Sequence, residues 1–308
     1  MQSKVQPEFS KKELDPEKLL KKTLKFLKRI DYYFRLSISH PEDRENLHKL
    51  RVSIRNFIVN LNLLSVYFPS FKRKIIKSGI KILKNCTDHM RDIDVFAHYF
   101  EEIFDIKEDG VAGSNGIDAV YHNLLESKKQ YYAEFYTIFY DFITYDFFRY
   151  WRSILKKHHD FTPKYQEKFH NHLVGKLKEN WFNFEEKLPT NIDDEEELHQ
   201  LRIAGKKFRY SFDSIKELFP EDISTEVSRI MTDIQDSLGT INDCKMVLNL
   251  LDKNNENKTS ENPMVNNTIA HRYFLRLIQE KKKFFLNQRE NWLANGTIEQ
   301  ISNIIYMT

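Results

Sequence analysis

The chain matches itself at a single offset, and that self-match constrains its fold more than any other feature. His199 lies 151 residues after His48, and the same shift carries Leu50 onto Leu201, Arg51 onto Arg202, Arg55 onto Lys206 and Phe57 onto Phe208. It also carries Phe68-Pro69 onto Phe219-Pro220 and Asp92 onto Asp243. One ungapped offset sustained over roughly 45 residues marks an internal duplication. The two halves are therefore expected to pack with approximate two-fold symmetry. That symmetry puts the two His-x-x-Arg segments in equivalent places, where they can face each other.

Each half reads as helical. Apolar residues recur with the 3.6-residue period almost throughout, and alternating strand patterns do not occur. Only 8 glycines and 8 prolines punctuate 308 residues. The expected fold is all-α: two four-helix bundles related by the duplication, about 15–160 and 161–308, after a flexible tail over 1–14. Helices are expected near 16–38, 42–68, 70–104 and 117–160, then near 164–187, 193–218, 222–253 and 264–295. Asp15-Pro16 opens the first, because proline suits a first helical turn. Residues 107–116 and 252–268 read as polar loops. Leu188-Pro189-Thr190 ends a helix, and Asp193 to Glu197 load acid onto the next N-terminus, where the helix dipole favours it.

Several classes of function find no support. Cys86 and Cys244 fall within helical patterns and read as two buried thiols, not as a disulfide framework. No signal-peptide pattern opens the chain and no apolar run is long enough to cross a bilayer, so a cytoplasmic protein without a membrane partner is expected. No HExxH, zinc-spaced Cys/His cluster, GxSxG, GxxxxGK[ST] or GxGxxG occurs. Asp92 and Asp94 are two apart and point to different sides of a helix, and Asp243 has no close acidic partner. They read as anchors for arginines across helices. No catalytic residue, metal or cofactor is expected, and the chain reads as a binding protein, not an enzyme.

The informative chemistry is in how charge is distributed. Net charge is only +3, yet no Asp or Glu occurs from Leu47 through Thr87. Within that stretch His48, Arg51 and Arg55 share one helical face, and Lys74, Lys77, Lys81 and Lys84 follow at i, i+3, i+7, i+10, with Arg91 continuing the row. Ordinary solvated faces mix signs at i, i+4; this one repels itself unless an anion neutralises it. In the second half His199, Arg202, Lys206 and Arg209 repeat the spacing, but the next helix carries Thr225, Ser228, Thr232 and Gln235 in place of lysines. The site is therefore expected to be asymmetric, with its charge supplied mostly by the first half. Arg offers a planar fork to phosphate oxygens and Lys a mobile point charge. Rows along about 15 Å of helix suit a linear polyanion better than a single phosphate. The plain alternative is a solvated stripe, with His48 and His199 bridging helices by hydrogen bonds.

These motifs resemble the CHAD family, the conserved histidine α-helical domain. The resemblance is carried by HxxRxxxR at His48–Arg55, RDxDV at Arg91–Val95, HxLRIAxKKxRY at His199–Tyr210 and LGxxND at Leu238–Asp243. It implies two helical bundles about a basic central cleft, binding of inorganic polyphosphate and association with polyphosphate granules. Carried over by position, it assigns ligand contacts to His48, Arg51, Arg55, His199, Arg202, Lys206, Lys207 and Arg209, with lysines of the helix after the first motif. No ExExK motif of a triphosphate tunnel domain is present, so a stand-alone polyphosphate-binding module is expected. Nucleic acid, RNA or DNA, is the alternative partner for the same surface; few aromatics lie within the basic face for base stacking.

Overall fold

The computed structural model describes residues 15–107, 115–157, 162–188, 191–256 and 268–307. Those residues form ten α-helices and no strand. The first five are α1 (Pro16–Ser39), α2 (Arg44–Leu63), α3 (Ser70–Lys107), α4 (Asn115–Thr144) and α5 (Phe147–Lys156). The second five are α6 (Pro163–Glu185), α7 (Glu195–Ile215), α8 (Glu221–Glu256), α9 (Thr268–Ala294) and α10 (Thr297–Met307). Short 3-10 turns, Leu64–Tyr67 and Lys216–Leu218, follow α2 and α7. The tail expected over 1–14 lies outside the described residues, as do most of the two expected polar loops.

Local chemistry sets the helix starts. Asp15, Asp43 and Asp194 each cap a helix, their carboxylates accepting from the backbone N–H of Glu17 (2.8 Å), Glu45 (2.9 Å) and Glu197 (3.0 Å). Losing such a cap costs about 1 kcal/mol.

The helix expected over 117–160 is broken. Asp146 adopts a left-handed conformation (φ 50°), separating α4 from α5. Gly296 does the same between α9 and α10 (φ 67°), and α10 was not anticipated from the sequence. Each half therefore holds five helices, not four. A left-handed residue redirects the chain so that a short apolar helix folds back. In α5 this buries Phe148, Trp151, Ile154 and Leu155, and in α10 Ile298, Ile301, Ile304 and Ile305. The Trp151 ring lies so close to Gly79 of α3 that a Cβ there would sit 2.3 Å from it. Only glycine leaves that space.

The core is built from the apolar stripes of long helices. Leu27, Ile30 and Phe34 of α1 meet Leu50, Ile54 and Phe57 of α2, all essentially inaccessible to solvent. In the second half Trp181 and Phe184 of α6 pack with Phe208 and Phe212 of α7. Each such side chain contributes about 1.5–3 kcal/mol by leaving water. Cys86 and Cys244 are buried free thiols, and burial pushes both up to about 12.

The contacts between the halves include α2 against α7, α3 and α4 against α8, and α6 against α2 and the turn after it. At the last, Tyr67 Oη donates to the carbonyl of Tyr165 (3.2 Å), and His172 Nε2 lies 3.0 Å from Ser65 Oγ. The functional candidates sit at the first.

Candidate functional site

Burying Leu50, Ile54 and Phe57 turns His48, Arg51 and Arg55 to the opposite side of α2. Burying Leu201, Ala204 and Phe208 does the same for Arg202, Lys206 and Arg209 of α7. Because α2 and α7 pack on each other, the two basic faces converge. Arg91 of α3 joins them, close enough to depress both His48 and Arg55.

Like charge and burial dominate the electrostatics. His48 is half-buried, and its pKa is lowered first by burial and then by the charges of Arg91, Arg55 and Arg51. The Arg55 guanidinium is depressed by burial and by Arg51, Arg91 and Arg209; it lies 5.5 Å from the centroid of the Tyr210 ring. Lys206 is brought down to about 8, mainly by burial and then by Arg202 and Arg55. Asp92 and Asp243 face the same cluster and are raised, burial outweighing their cationic neighbours.

Hydrogen bonding divides the cations into two groups. Arg51 donates from one Nη to Asp88 (2.6 Å) and Thr87 Oγ1 (3.1 Å), and Lys84 also holds Asp88 (2.8 Å). Burial would raise the Asp88 carboxyl, but these hydrogen bonds from Lys84 and Arg51 hold it below its usual value. Arg209 donates to Gln235 Oε1 (3.2 Å). By contrast, among the described residues Arg55 Nε and Arg202 Nε are buried with no hydrogen-bond partner. A buried donor left unmade costs about 1–3 kcal/mol; both Nε atoms are closed to solvent, while each arginine as a whole is only half-buried.

A cavity of about 690 Å³ opens beside the α2–α7 crossing. Its charged lining is Arg73 of α3, Lys176 of α6, and Lys206 and Lys207 of α7, and among the described residues no Asp or Glu lines it. Such a wall concentrates anions.

The structure thus gathers His48, Arg51, Arg55, Arg91, Arg202 and Lys206, and sets Lys207 on the adjoining cavity. Lys84 is tied to Asp88, while Lys74 and Lys81 are exposed on α3 and Lys77 is half-buried next to Arg73. His199 is exposed at a small niche that it shares with Arg202, Glu195 and Lys245. The first half supplies most of the charge of the cluster, Arg51, Arg55 and Arg91 against Arg202 and Lys206, whereas the second supplies most of it at the cavity, where Lys176, Lys206 and Lys207 outnumber Arg73. Asp94 anchors Arg44 of α2 (3.8 Å) and Lys128 of α4 (2.6 Å) across helices, as expected, but at the cluster Asp88, not Asp92 or Asp243, makes the direct bond to an arginine. The sequence reading missed Lys176 because its pairing with Glu179 (2.5 Å) makes α6 look like an ordinary mixed-sign face. It missed Tyr210, whose ring reads as one more apolar residue. Among the described residues no three His, Cys, Asp or Glu side chains gather as a metal would need, and no helix is long and apolar enough to cross a membrane.

Comparison with known proteins bears on this arrangement. The family model for the CHAD domain matches residues 24–252. No curated protein matches the chain. Among solved structures, the fold is similar to the CHAD domain from the plant Ricinus communis, with a TM-score of 0.56 and 15% identity, covering 95% of this chain and 92% of that one. It is also similar to PptA from Streptomyces chartreusis, with a TM-score of 0.62 and 12% identity, covering 90% of this chain and 99% of that one. At these identities the likeness concerns the fold.

Proposed function

The chain belongs to the CHAD domain family, and from that premise we propose that it binds inorganic polyphosphate, without chemical turnover, where α2 and α7 cross. The observation that carries this reading is a set of half-buried cations with unmade hydrogen bonds. Arg55 and Arg202 keep Nε atoms without acceptors, and Lys206 is held well below an ordinary lysine by burial first and then by Arg202 and Arg55. Phosphate oxygens would accept from the accessible parts of these half-buried cations and relieve the mutual repulsion. A phosphate chain also offers many oxygens in a row, which suits cations spread from Arg91 through Arg55 and Arg202 to the cavity wall at Lys207. In this reading the two helical halves are related by an approximate two-fold through the α2–α7 contact, and each lends one basic helix to a shared cleft. A place in the cytoplasm and at polyphosphate granules follows from the same ligand.

Titration calorimetry with long-chain polyphosphate at two salt concentrations tests this, with RNA and single-stranded DNA of matched charge as competitors. Binding that falls with salt, through release of condensed counterions, and that nucleic acid fails to displace is the expected result. Equal binding of all three polymers would reduce the site to unselective electrostatics. Phosphate released from the polymer in the presence of Mg²⁺ would overturn the assignment as a non-enzymatic module.

A further inference from the structure

Polyphosphate gives the apolar part of the cavity nothing to do. Beside its cations the cavity is lined by Val59 and Leu63 of α2, Ile203 of α7 and the ring of Tyr210. Ile203 is half-buried and stands outside the packed core, so it turns apolar surface toward the cavity. An inorganic phosphate chain has no apolar surface to remove from water against these side chains, so it gains nothing from them. Neutral hydrogen-bonding groups lie beside this floor. Asn62 lines the cavity with an exposed side chain, and Asn180 donates its amide nitrogen to Ser211 Oγ (2.6 Å), which leaves its carbonyl oxygen to accept. A volume of about 690 Å³ is in the range that encloses one organic ligand.

We propose that this cavity binds a free nucleoside triphosphate, its base against Ile203 and Tyr210 and its phosphates on Lys206, Lys207 and Arg73. The inference rests on the anion-binding reading in sharing Lys206, and it adds recognition of a ring. The chain has no glycine-rich phosphate loop; side-chain cations take that part here. Amide groups such as Asn62 and Asn180 are the kind that read a base edge, and among the described residues an acidic one, which would repel the phosphates, is missing from the lining. Because Lys206 belongs to both sites, long-chain polyphosphate and the nucleotide should compete.

The test compares ATP, tripolyphosphate and adenosine by titration calorimetry on the full chain in EDTA. Tripolyphosphate carries at least as much negative charge as ATP, so charge alone ranks it first. The expected result is the reverse, with ATP bound about tenfold more tightly and adenosine giving no measurable binding. Ile203→Asn should bring ATP down to the affinity of tripolyphosphate and leave tripolyphosphate unchanged. Circular dichroism checks that the variant is folded; if it is not, the wild-type comparison decides. Tripolyphosphate binding as tightly as ATP overturns the proposal, and so does an ATP affinity that Ile203→Asn leaves untouched. If long-chain polyphosphate binds and ATP does not, this inference falls alone. If ATP binds and polyphosphate does not, the polyphosphate reading falls and this one stands.

Discussion

The two His-x-x-Arg helices begin from equivalent sequence and end in different physical states. In α2, Arg51 is fixed by Asp88 and Thr87, and His48 is half-buried beside Arg91. In α7, Arg202 keeps a buried Nε without a partner, and His199 is exposed outside the cluster. The cause lies in the next helix of each half. At the offset of 151, Asp88 of α3 corresponds to Gly239 of α8, and Lys84 corresponds to Gln235. The first half therefore supplies a carboxylate that hydrogen-bonds its arginine; the second has no side chain at that place, and Asp243 acts on Arg202 only through space. One copy of the motif is committed to holding helices together, and the other is left with cations to offer. A duplicated motif can thus divide structure and binding between its copies, and the dividing residue need not lie in the motif.

The largest effect should come from reversing a charge in the uncommitted copy. Lys206→Glu is expected to weaken polyphosphate binding about 100-fold by titration calorimetry, since it removes one contact, sets a carboxylate against the phosphates and pairs with the arginines they would neutralise. Reversing Lys156 and Lys157, which lie at the exposed end of α5, should change affinity less than twofold. Equal losses at the two places would show that no defined cleft exists.

Gly239→Asp breaks the asymmetry directly. A Cβ at Gly239 meets nothing within 4 Å, so there is room for the side chain. The new carboxylate should pair with Arg202 as Asp88 pairs with Arg51. The expected outcome is a fold more stable by about 1 kcal/mol, from helix propensity and relief of repulsion, with polyphosphate affinity about tenfold lower. Denaturant titration and calorimetry read the two effects. A variant that gains stability and keeps full affinity would remove Arg202 from the site.

Arg51→Ala probes the committed copy, and here the loss should appear as stability. Leaving Asp88 with Lys84 alone should lower stability by about 1–2 kcal/mol in denaturant titration, with a smaller loss of affinity than at Lys206. The reverse ranking would mean that Arg51 is a contact rather than an anchor.

The pH dependence separates Lys206 from ordinary lysines. Its folded value, about 8, lies below the ordinary lysine value of 10.5. The unfolded chain therefore binds the proton more tightly, and the folded state gains stability as pH rises from about 8 to about 10.5. Bound phosphate favours the charged form, so polyphosphate affinity should fall as pH rises through 8. Lys206 feels Arg202, Arg55 and Arg51 as like charges and Asp243 as an opposite one. Lys206→Met should flatten both trends; a wild-type affinity that is constant between pH 7 and 9 would show that Lys206 does not touch the ligand.

The smallest effect concerns the histidines. The His48 pKa is lowered, first by burial and then by Arg91, which disfavours its charged form. His48→Gln and His199→Gln should each change affinity at pH 7 by less than about threefold. A larger loss at the exposed His199 would place ligand at its niche with Glu195 and Lys245, away from the cavity.

Much of this was written in local sequence. The helical period, the Asp caps at Asp15, Asp43 and Asp194, and the acid-free stretch with its basic rows depend on residues a few positions apart, and the expected helix starts for α2, α3, α7 and α8 fall within about two residues of the observed ones. The self-match likewise needs no structure: α2 and α7, and α3 and α8, begin 151 residues apart. The break at Asp146 was not legible, because a left-handed aspartate carries no glycine or proline to announce it; what holds it is Trp151 folding back against Gly79. Nor could sequence say which cations are free. Whether Arg51 meets Asp88, whether Arg202 meets anything, and how far Lys206 is depressed depend on the register of packed helices and on water excluded between them. Charge is a property of the residue; its partner and its solvation belong to the packed helices.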